Sequence, residues 1–320
     1  MAQDRQPDPS RVSHLRVGPE RAGQRIDNFL LSVLKGVPRA HVYRIVRRGE
    51  VRVNRGRVSA GYRLREGDTV RVPPVRRRLR GSDAPPPELA DLLAGRILYE
   101  DRDLLVLDKP AGVPVHGGTG APFGVIEITR ALRPEESFLE LAHRLDRETS
   151  GCLVLARRRD VLTSLHRAFR AGECDKGYLL LVRGHWTGGE GVVRAALDES
   201  ARVRGERHVR VADGGRAAAT RFRPLADYRL DGEAATLMEA RPETGRMHQI
   251  RVHAAHAGYP LAGDRRYGDP GFNRRLRAAG LRRLFLHAHE LVLPGSPDWH
   301  FSAPLAPDLA AVLESLEEVA

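Results

Sequence analysis

A short charged segment lies between two apolar stretches near the middle of the chain. The segment HRLDRETSG covers residues 143–151, and it places Asp146 between two arginines. A carboxylate at the mouth of an apolar layer is costly to keep ionised by burial alone, and an arginine held close would offset that cost. Such a carboxylate could serve as a nucleophile or a base. From this segment alone, however, an ordinary loop residue or a helix cap is the simpler interpretation of Asp146.

Two other kinds of site are less well supported. Thirteen histidines invite a metal site, and His248, His253 and His256 lie within one predicted helix, where only the last two share a face. No HExxH motif and no cysteine pair accompanies them, so no metal site is expected. Ser150 lacks the GxSxG context of a serine nucleophile, and a tight turn explains it better. The segment around Asp146 is therefore the strongest candidate.

The elements that would position this segment belong to a domain predicted over residues 96–320. Strands are indicated by LLVLDKPAG, KGYLLLVRG, ATLMEA and LFLHAHELVL, and helices by DVLTSLHRAF and HQIRVHAAHAG. Strands outnumber helices and few strand–helix–strand units repeat, which favours an α+β fold with a mixed, largely antiparallel sheet. Residues 139–142 and 152–156 are expected to be strands that hold the charged segment rigidly.

The net charge of +12 is concentrated in one region of the chain. Residues 21–80 contain 17 Lys and Arg against 4 Asp and Glu, which indicates a polyanionic partner, most simply nucleic acid. Two amphipathic helices are predicted there, RIDNFLLSVL and PRAHVYRIVRRGE, followed by short strands in VRVN and DTVRV. We expect a disordered leader (residues 1–20), a small α/β domain (21–75) and an extended linker (76–95).

The small basic domain resembles the S4 domain of ribosomal proteins and RNA-modifying enzymes. The similarity covers residues 24–73 and includes GEVRVN at residues 49–54 and LREGDTV at 64–70. It implies that one face of the domain binds RNA phosphates. The residues assigned to that face are Lys35, Arg39, Arg44, Arg47 and Arg48.

Composition also limits where the protein can work. No run of 18 or more apolar residues is present, and the first twenty residues lack the apolar segment of a secretory signal. The two cysteines, Cys152 and Cys174, show neither a CxxC nor a disulfide-framework spacing. These features predict a soluble protein of the reducing cytoplasm.

Several further segments accompany HRLDRETSG in a fixed order. LDKPAGVPVHGG precedes it, and KGYLLLVRG, RPETGRMHQIRVHAAHAGYPLAGDRRYG and RLFLHAHELVLP follow it. Together they resemble the motifs of the RluA-type pseudouridine synthases over residues 96–305. The resemblance implies the pseudouridine synthase fold and an isomerisation that detaches uracil from ribose C1′ and reattaches it through C5. The S4-like domain, HGGTGAPFGVIE, RALRPE and FLELAHRLDR narrow it to members that modify uridines of 23S ribosomal RNA.

The resemblance assigns three catalytic residues. Asp146 is implied to be the nucleophile, which suits a sugar that develops oxocarbenium character as its glycosidic bond breaks. Tyr178 is implied to stack on uracil and could relay the proton lost from C5. Arg251 is implied to be the cation that pairs with Asp146, and a bidentate pair would orient the carboxylate.

The resemblance also assigns residues that contact the substrate. Because a uridine in folded RNA must be extruded before it can react, Arg144 is implied to fill the space that the flipped base leaves. Leu286 is implied to form an apolar wall beneath the base, and His143 belongs to the same substrate-binding set. Arg147 could touch phosphate or form a salt bridge within the loop. Met247 departs from the family, which usually has threonine before HQIR.

The implied reaction oxidises nothing and transfers no group to or from a second molecule, so neither a cofactor nor a metal is expected. The expected partner is large-subunit ribosomal RNA, with no membrane partner, and we expect a monomer. Two alternatives stay open, a non-catalytic rRNA-binding or ribosome-assembly protein and a related synthase that acts on tRNA. A metal-assisted hydrolase is disfavoured because the ligand set is missing.

Overall fold

A computed structural model describes residues 11–34, 37, 39–75, 85–118, 121–203, 206–297 and 299–319, with the backbone alone at residues 20, 39, 40, 203, 206 and 207. The chain divides into two compact units, with the boundary between residues 83 and 84. Within the described part, no helix has both the length and the apolar character needed to cross a membrane.

The first unit contains two helices and a four-stranded sheet. Its elements are β1 (Ser13–Arg16), a short 3₁₀ turn (Pro19–Arg21), α1 (Ile26–Val33), α2 (Arg39–Arg47), β2 (Arg52–Val53), β3 (Gly56–Arg57) and β4 (Thr69–Val72). The strands pair in the order β1-β4-β2-β3.

The two helices pack as their apolar spacing predicts. The residues expected on one face of α1 are all buried, as are those of α2: Ile26, Phe29, Leu30, Val33, Leu34, Val42, Ile45 and Val46. Arg44, Arg47 and Arg48 are exposed on the other side of α2 and just after it. The chain leaves α2 through Gly49, whose φ of 71° lies in the left-handed region that glycine adopts most easily.

Two boundary predictions are wrong. Residues 11–20 are not a disordered leader throughout, because β1 pairs antiparallel with β4 from Ser13↔Val72 to Arg16↔Thr69. The predicted linker is not extended throughout either, because residues 87–94 form a helix that buries Leu93. Proline at the first helical turn costs no hydrogen bond there, so the proline run that suggested an extended chain instead begins a helix. Residues 1–10 and 76–84 lie outside the described residues.

The second unit is built on an 11-stranded sheet. Its elements are α3 (Pro87–Ala94), β5 (Ile97–Glu100), β6 (Leu104–Lys109), α4 (Val125–Leu132), β7 (Glu140–Leu141), β8 (Ser150–Ala156), α5 (Arg159–Ala171), β9 (Asp175–Arg183), β10 (Gly191–Arg194), β11 (Leu197–Asp198), β12 (Arg202–Val203), β13 (Glu206–Arg207), β14 (Arg210–Val211), β15 (Ala219–Leu230), β16 (Glu233–Pro242), α6 (Gln249–His256), α7 (Pro270–Ala278), β17 (Leu286–Val292), β18 (His300–Ser302), α8 (Pro307–Glu314) and β19 (Glu317–Val319).

The main sheet runs in the order β10-β15-β16-β9-β17-β8-β6-β5, with β7, β18 and β19 paired at its sides. Among the described strands of this sheet, β8 and β17 form a parallel pair and the other pairings are antiparallel. The predicted α+β fold with a mixed, largely antiparallel sheet is therefore confirmed. Every residue of β8 is buried, which agrees with the continuous apolar run after the charged segment.

The register of the sheet brings distant segments to the charged loop. Ala288 of β17 pairs with Gly151 of β8 on one side and with Tyr178 of β9 on the other. Gly151 has a φ of 107°, and a Cβ built there would lie 2.2 Å from the Ala288 carbonyl oxygen. Only glycine fits this close approach without strain. Tyr178 of β9 is thereby separated by β17 alone from the start of β8, where the Asp146 loop ends.

Candidate active site

Asp146 lies in the loop between β7 and β8, and backbone hydrogen bonds fix both ends of that loop. Ala142 donates its N–H to the Val154 carbonyl oxygen at 3.0 Å, and Val154 donates its N–H to His143 Nε2 at 3.1 Å. Thr149 donates its N–H to the Asp146 carbonyl oxygen at 3.1 Å, which closes a turn around the carboxylate. The loop is therefore rigidly attached to the sheet, as its flanking apolar runs predict.

Lys109, at the end of β6, ties this loop to the preceding one. Its side chain is completely buried, and Nζ donates to the carbonyl oxygens of Pro110 at 2.8 Å, Val113 at 2.8 Å and Arg147 at 3.1 Å. Burial lowers the pKa of Lys109 to about 7. The three carbonyl acceptors match the three N–H donors of its ammonium form. Lys109 thus joins residues 110–113 to the backbone directly after Asp146.

Among the described residues, ion-pair contacts to the Asp146 carboxylate come from two nitrogen atoms, and both approach the same oxygen. Arg251 Nη1 lies 3.7 Å from Oδ2, and His248 Nε2 lies 3.8 Å from it. The Asp146 side chain keeps 24% of its surface exposed, so it is open to a ligand. At these distances neither contact is a hydrogen bond in the free protein.

Arg251 forms the expected ion pair with Asp146, but its bidentate hydrogen bonds go to Asp264 instead of Asp146. Arg251 donates from Nε to Asp264 Oδ2 at 2.7 Å and from Nη2 to Oδ1 at 2.8 Å. Burial is the largest single influence and would raise the pKa of Asp264, but the hydrogen bonds and charge of Arg251 together with the backbone N–H groups of Arg266 and Tyr267 lower it overall. Asp264 therefore stays ionised and orients the guanidinium, and Arg251 Nη1 is the nitrogen left to face Asp146.

Tyr178 is held as a neutral phenol. Burial raises its pKa, and the negative charge of Asp146 raises it further. The side chain packs against two core clusters, one that contains Ala288 and one that contains Leu180. The structure thus brings Tyr178 near Asp146, in an environment where its hydroxyl keeps its proton at neutral pH.

Asp146 lies in a cleft of about 870 Å³. The cleft is lined by acidic residues (Asp146, Glu148 and Asp264) and by a larger number of arginines: Arg144, Arg147, Arg251, Arg265, Arg266, Arg282 and Arg283. A cleft with this excess of guanidinium groups is suited to a polyanion.

The other residues expected to contact the substrate lie in different environments. Arg144 is exposed at the cleft. Arg147 donates from Nε to the Gly112 carbonyl oxygen at 2.7 Å and lies 3.8 Å from Glu148 Oε1, so its free-state contacts are within the protein. His143 reaches the cleft, but its ring stacks on Phe169 with centroids 4.9 Å apart. Burial lowers the pKa of His143 to about 4, so in the free protein it serves as a neutral acceptor for the backbone.

Leu286 does not line the cleft in the free protein. It is 4% exposed and belongs to the same core cluster as Tyr178, whereas Leu284 lies at the cleft surface. The role of Leu286 as an apolar wall beneath the base stays a prediction, and its side chain packs in the core beside Tyr178.

Ser150 has a histidine partner, but the pair is enclosed. Ser150 Oγ lies 2.8 Å from His287 Nδ1, and the two residues are 2% and 0% exposed. Arg283 Nη1 donates to Ser150 Oγ at 3.2 Å, and His287 Nε2 is 3.3 Å from the Ala303 carbonyl oxygen. With a carbonyl instead of a carboxylate behind the histidine, this pair packs the β8–β17 junction.

The histidines around α6 have separate environments. His253 is buried and hydrogen-bonded to Thr220 Oγ1 at 2.9 Å and to the Ala195 carbonyl oxygen at 3.0 Å, so it packs the helix against the sheet. His256 is exposed. His248 is not part of the helix as expected but caps it, with φ 54° and ψ 19°.

Among the described residues, Glu239, His289 and Glu290 bring ligand atoms within 4.8 Å of one another. Arg241 occupies this position, because its Nη2 lies 2.8 Å from Glu239 Oε1 and also contacts Glu290 Oε2. Arg223 pairs with the other oxygen of Glu239 at 3.0 Å. The charges of the glutamates are thus compensated by arginine, and the group lies apart from the residues of the Asp146 cleft.

The residues assigned to the S4 face are only partly visible. Lys35 lies outside the described residues, and Arg39 is described by its backbone alone. Arg44 and Arg48 are exposed, with contacts to His41 at 3.1 Å and to Glu50 at 3.9 Å, and Arg47 is exposed beside them. Three guanidinium groups therefore point away from the apolar core of the first unit.

Sequence reasoning missed Lys109, His248, Asp264 and Tyr267. Lys109 had a signal, since a lysine that ends a continuous apolar strand must find acceptors inside the protein. Asp264 and Tyr267 lie in the segment GDRRYG, which carried the resemblance without any assigned role. His248 had no usable signal, because its backbone conformation depends on the surrounding fold.

Comparison with known proteins agrees with this architecture. The family model described as RNA pseudouridylate synthase matches residues 103–256, and the S4 domain model matches residues 24–70. The ribosomal large subunit pseudouridine synthase C of Haemophilus influenzae is 47% identical over 315 residues, covering 97% of this chain and 96% of that protein. The protein of the same name from Escherichia coli K12 is 49% identical over 312 residues, covering 95% and 97%.

Solved structures give the same result. Human RNA pseudouridylate synthase domain containing 4 has a TM-score of 0.59 and 28% identity, covering 72% of this chain and 97% of that one. Human RNA pseudouridylate synthase domain containing 1 has a TM-score of 0.59 and 25% identity, covering 75% and 91%. With an identity near one half to relatives along almost the whole chain, the protein belongs to the RNA pseudouridylate synthase family and is an isomerase that forms pseudouridine in RNA.

Proposed function

We propose that the chain isomerises specific uridines of 23S ribosomal RNA, with Asp146 as the catalytic nucleophile. The observation that carries this proposal is the position of Asp146, a partly exposed carboxylate at an arginine-lined cleft with Arg251 Nη1 3.7 Å from Oδ2. The Arg251 guanidinium faces the carboxylate, and the cleft can admit a flipped nucleotide. We place this activity in the cytoplasm and assign it to a monomer.

The chemistry needs one bond broken and one bond formed on the same sugar. The C1′–N1 bond breaks, uracil turns, C1′ bonds to C5, and the proton of C5 is lost while N1 gains one. Asp146 stabilises or captures the electron-poor sugar, as carboxylates do in glycoside cleavage. Tyr178 supports the base by stacking and can relay the C5 proton through its hydroxyl. The neutral state of that phenol suits a relay better than a phenolate base.

Arg144 is assigned to the vacancy that the flipped base leaves in the RNA stack. Its side chain is exposed at the cleft, two residues before Asp146. The guanidinium can therefore enter the base stack of the RNA while the Asp146 carboxylate contacts the extruded nucleotide. A planar guanidinium can stack on neighbouring bases and donate hydrogen bonds at once. Arg147 instead supports the loop, through the Gly112 carbonyl oxygen.

Pseudouridine mapping in cells that lack the protein tests the target. We expect defined uridines of the large-subunit ribosomal RNA to lose pseudouridine, and the wild-type gene to restore it. Chemical mapping of tRNA from the same cells supplies the comparison. If the ribosomal RNA were unchanged and tRNA positions lost the modification, the proposed substrate would be wrong and the tRNA alternative correct.

The basic face of the first unit should contribute affinity through phosphate contacts. Replacing Arg44, Arg47 and Arg48 together by glutamine should lower affinity for large-subunit ribosomal RNA about 10-fold or more at 0.1 M salt and reduce the slope of log affinity against log salt by about 2. Filter binding over a range of salt concentrations measures both quantities. The matched control replaces three exposed arginines of the second unit, Arg102, Arg170 and Arg229, by glutamine. An equal loss in both variants would remove the RNA role of this face.

A further inference from the structure

His248 has a left-handed backbone conformation at the edge of the cleft. Its φ of 54° and ψ of 19° lie in a region that few residues other than glycine adopt, although asparagine, aspartate and histidine are found there more often than the rest. The side chain is 13% exposed and lines the cleft. Residues held in this way occur often where a side chain must point in one direction. Here the direction is toward Asp146.

The hydrogen bond between Tyr267 and His248 is the basis for assigning the imidazole proton. Val209 donates its N–H to Tyr267 Oη at 3.0 Å, which leaves the phenolic hydrogen available to donate. His248 Nδ1 lies 2.9 Å from that oxygen, and we assign it as the acceptor of this hydrogen. The proton of a neutral imidazole is then on Nε2, the nitrogen nearest to Asp146.

The ring is neutral at physiological pH. Burial lowers the pKa of His248 to about 4, with Arg251 and Arg266 acting in the same direction and Asp146 and Asp264 opposing them. Nε2 therefore offers a neutral N–H to the Asp146 carboxylate, and the imidazole adds no positive charge beside it. Arg251 cannot supply the same orientation alone, because two of its nitrogens are already committed to Asp264.

Both donors approach the same oxygen of Asp146. Arg251 Nη1 and His248 Nε2 lie 3.7 Å and 3.8 Å from Oδ2, and Tyr267 contacts both donors, since its ring also lies 5.0 Å below the Arg251 guanidinium. Contacts of this length in a free enzyme commonly shorten when the substrate closes the site. Holding Oδ2 from two sides leaves Oδ1 for the reacting sugar.

The geometry points to His248 as a positioning residue that, in the Nε2–H form set by Tyr267, holds Asp146 Oδ2 so that Oδ1 faces the substrate. This inference rests on the proposed role of Asp146. It adds His248 to Arg251 as a second donor to the carboxylate, with Tyr267 orienting the imidazole. His248 contributes direction, whereas Arg251 contributes charge.

Paired substitutions at His248 test the inference. His248→Phe keeps a ring without a donor, whereas His248→Gln can place an amide N–H near the position of Nε2; both carry a similar backbone cost. With in-vitro-transcribed large-subunit ribosomal RNA labelled with tritium at uridine C5, we expect His248→Phe to lower kcat about 30- to 100-fold with KM little changed. His248→Gln should stay within about fivefold of wild type because a donor is retained. The inference would be overturned if kcat of His248→Phe stayed within threefold of wild type. It would also be overturned if kcat of His248→Gln fell as far as that of His248→Phe.

Tyr267→Phe provides a second, independent measurement. It retains the ring beneath Arg251 and removes the hydroxyl that sets the tautomer, so we expect kcat to fall about 10-fold. In a His248→Phe background the same change should have no further effect on kcat, since Tyr267 then has no imidazole to orient. Additive losses would overturn the inference, and if His248→Phe does not fold, an unchanged kcat in Tyr267→Phe overturns it.

Two controls separate this inference from the proposed function. His256→Phe, at an exposed position of α6 outside the cleft, should leave activity unchanged. Asp146→Asn, assayed in parallel, reports on the proposed nucleophile itself. If Asp146→Asn stays active, the proposed function fails; if it is inactive while the His248 and Tyr267 variants are fully active, only the positioning role fails.

Discussion

Asp146→Asn should abolish pseudouridine formation, with a loss of at least about 10³-fold in the single-turnover rate. The amide is almost the same size as the carboxylate, but it carries no negative charge and is a poor nucleophile. If the amide nitrogen takes the place of Oδ2, it faces Arg251 Nη1 and His248 Nε2–H. All three groups are hydrogen-bond donors, so no hydrogen bond forms there. Release of tritium from C5-labelled uridine in ribosomal RNA measures the rate.

Binding should survive the same substitution. Removing one negative charge from a cleft lined with arginines does not weaken its attraction for phosphate, so the affinity for RNA should stay within about threefold of wild type or increase. Asp231→Asn is a suitable control, because Asp231 lies in a turn with φ 50° that asparagine adopts readily. If Asp146→Asn retained more than a tenth of wild-type activity, Asp146 would not be the nucleophile.

Lys109→Met should destabilise the second unit by about 3 kcal/mol. Methionine fills a similar volume, but three carbonyl oxygens, those of Pro110, Val113 and Arg147, lose their donor. Leaving each acceptor unpaired costs about 1 to 3 kcal/mol, and release from the cost of burying an ammonium group offsets part of the total. Activity should fall as well, because Arg147 directly follows Asp146.

Urea unfolding followed by tryptophan fluorescence measures this change in the right unit, since both tryptophans, Trp186 and Trp299, lie in the second unit. Lys176→Met is the matched control. Burial lowers the pKa of Lys176 as well, but none of the hydrogen bonds found among the described residues joins its ammonium to a carbonyl group. We expect a change below about 1 kcal/mol for that variant. Equal midpoints for the two variants would contradict the role given to Lys109.

The sequence predicted those features that depend on local periodicity. The spacing of Ile26, Phe29 and Leu30 indicated the buried face of α1, and the apolar run after Ser150 indicated a fully buried strand. Both patterns reflect burial along a single element, so no knowledge of the surrounding fold was needed. The motif order then indicated which loop carries the candidate nucleophile.

The partners of individual side chains could not be obtained in this way. Arg251 does form an ion pair with Asp146 at 3.7 Å, yet its bidentate hydrogen bonds go to Asp264, thirteen residues further along the chain. Both aspartates are compatible with the sequence, and only the three-dimensional course of the segment after α6 decides between them. The left-handed backbone of His248 has the same origin, because it is imposed by how α6 meets the loop before it.

The pairing of β1 with β4 has a consequence for where the first unit begins. In the order β1-β4-β2-β3, residues 13–16 cover one side of a strand whose Val70 and Val72 are 0% and 1% exposed. A chain shortened to residue 21 would leave the backbone N–H and C=O groups along that side of β4 unpaired. Exposed edges of this kind attract strands from other molecules. Residues 13–16 thus protect this edge of the sheet and disfavour association between copies of the S4 domain through it.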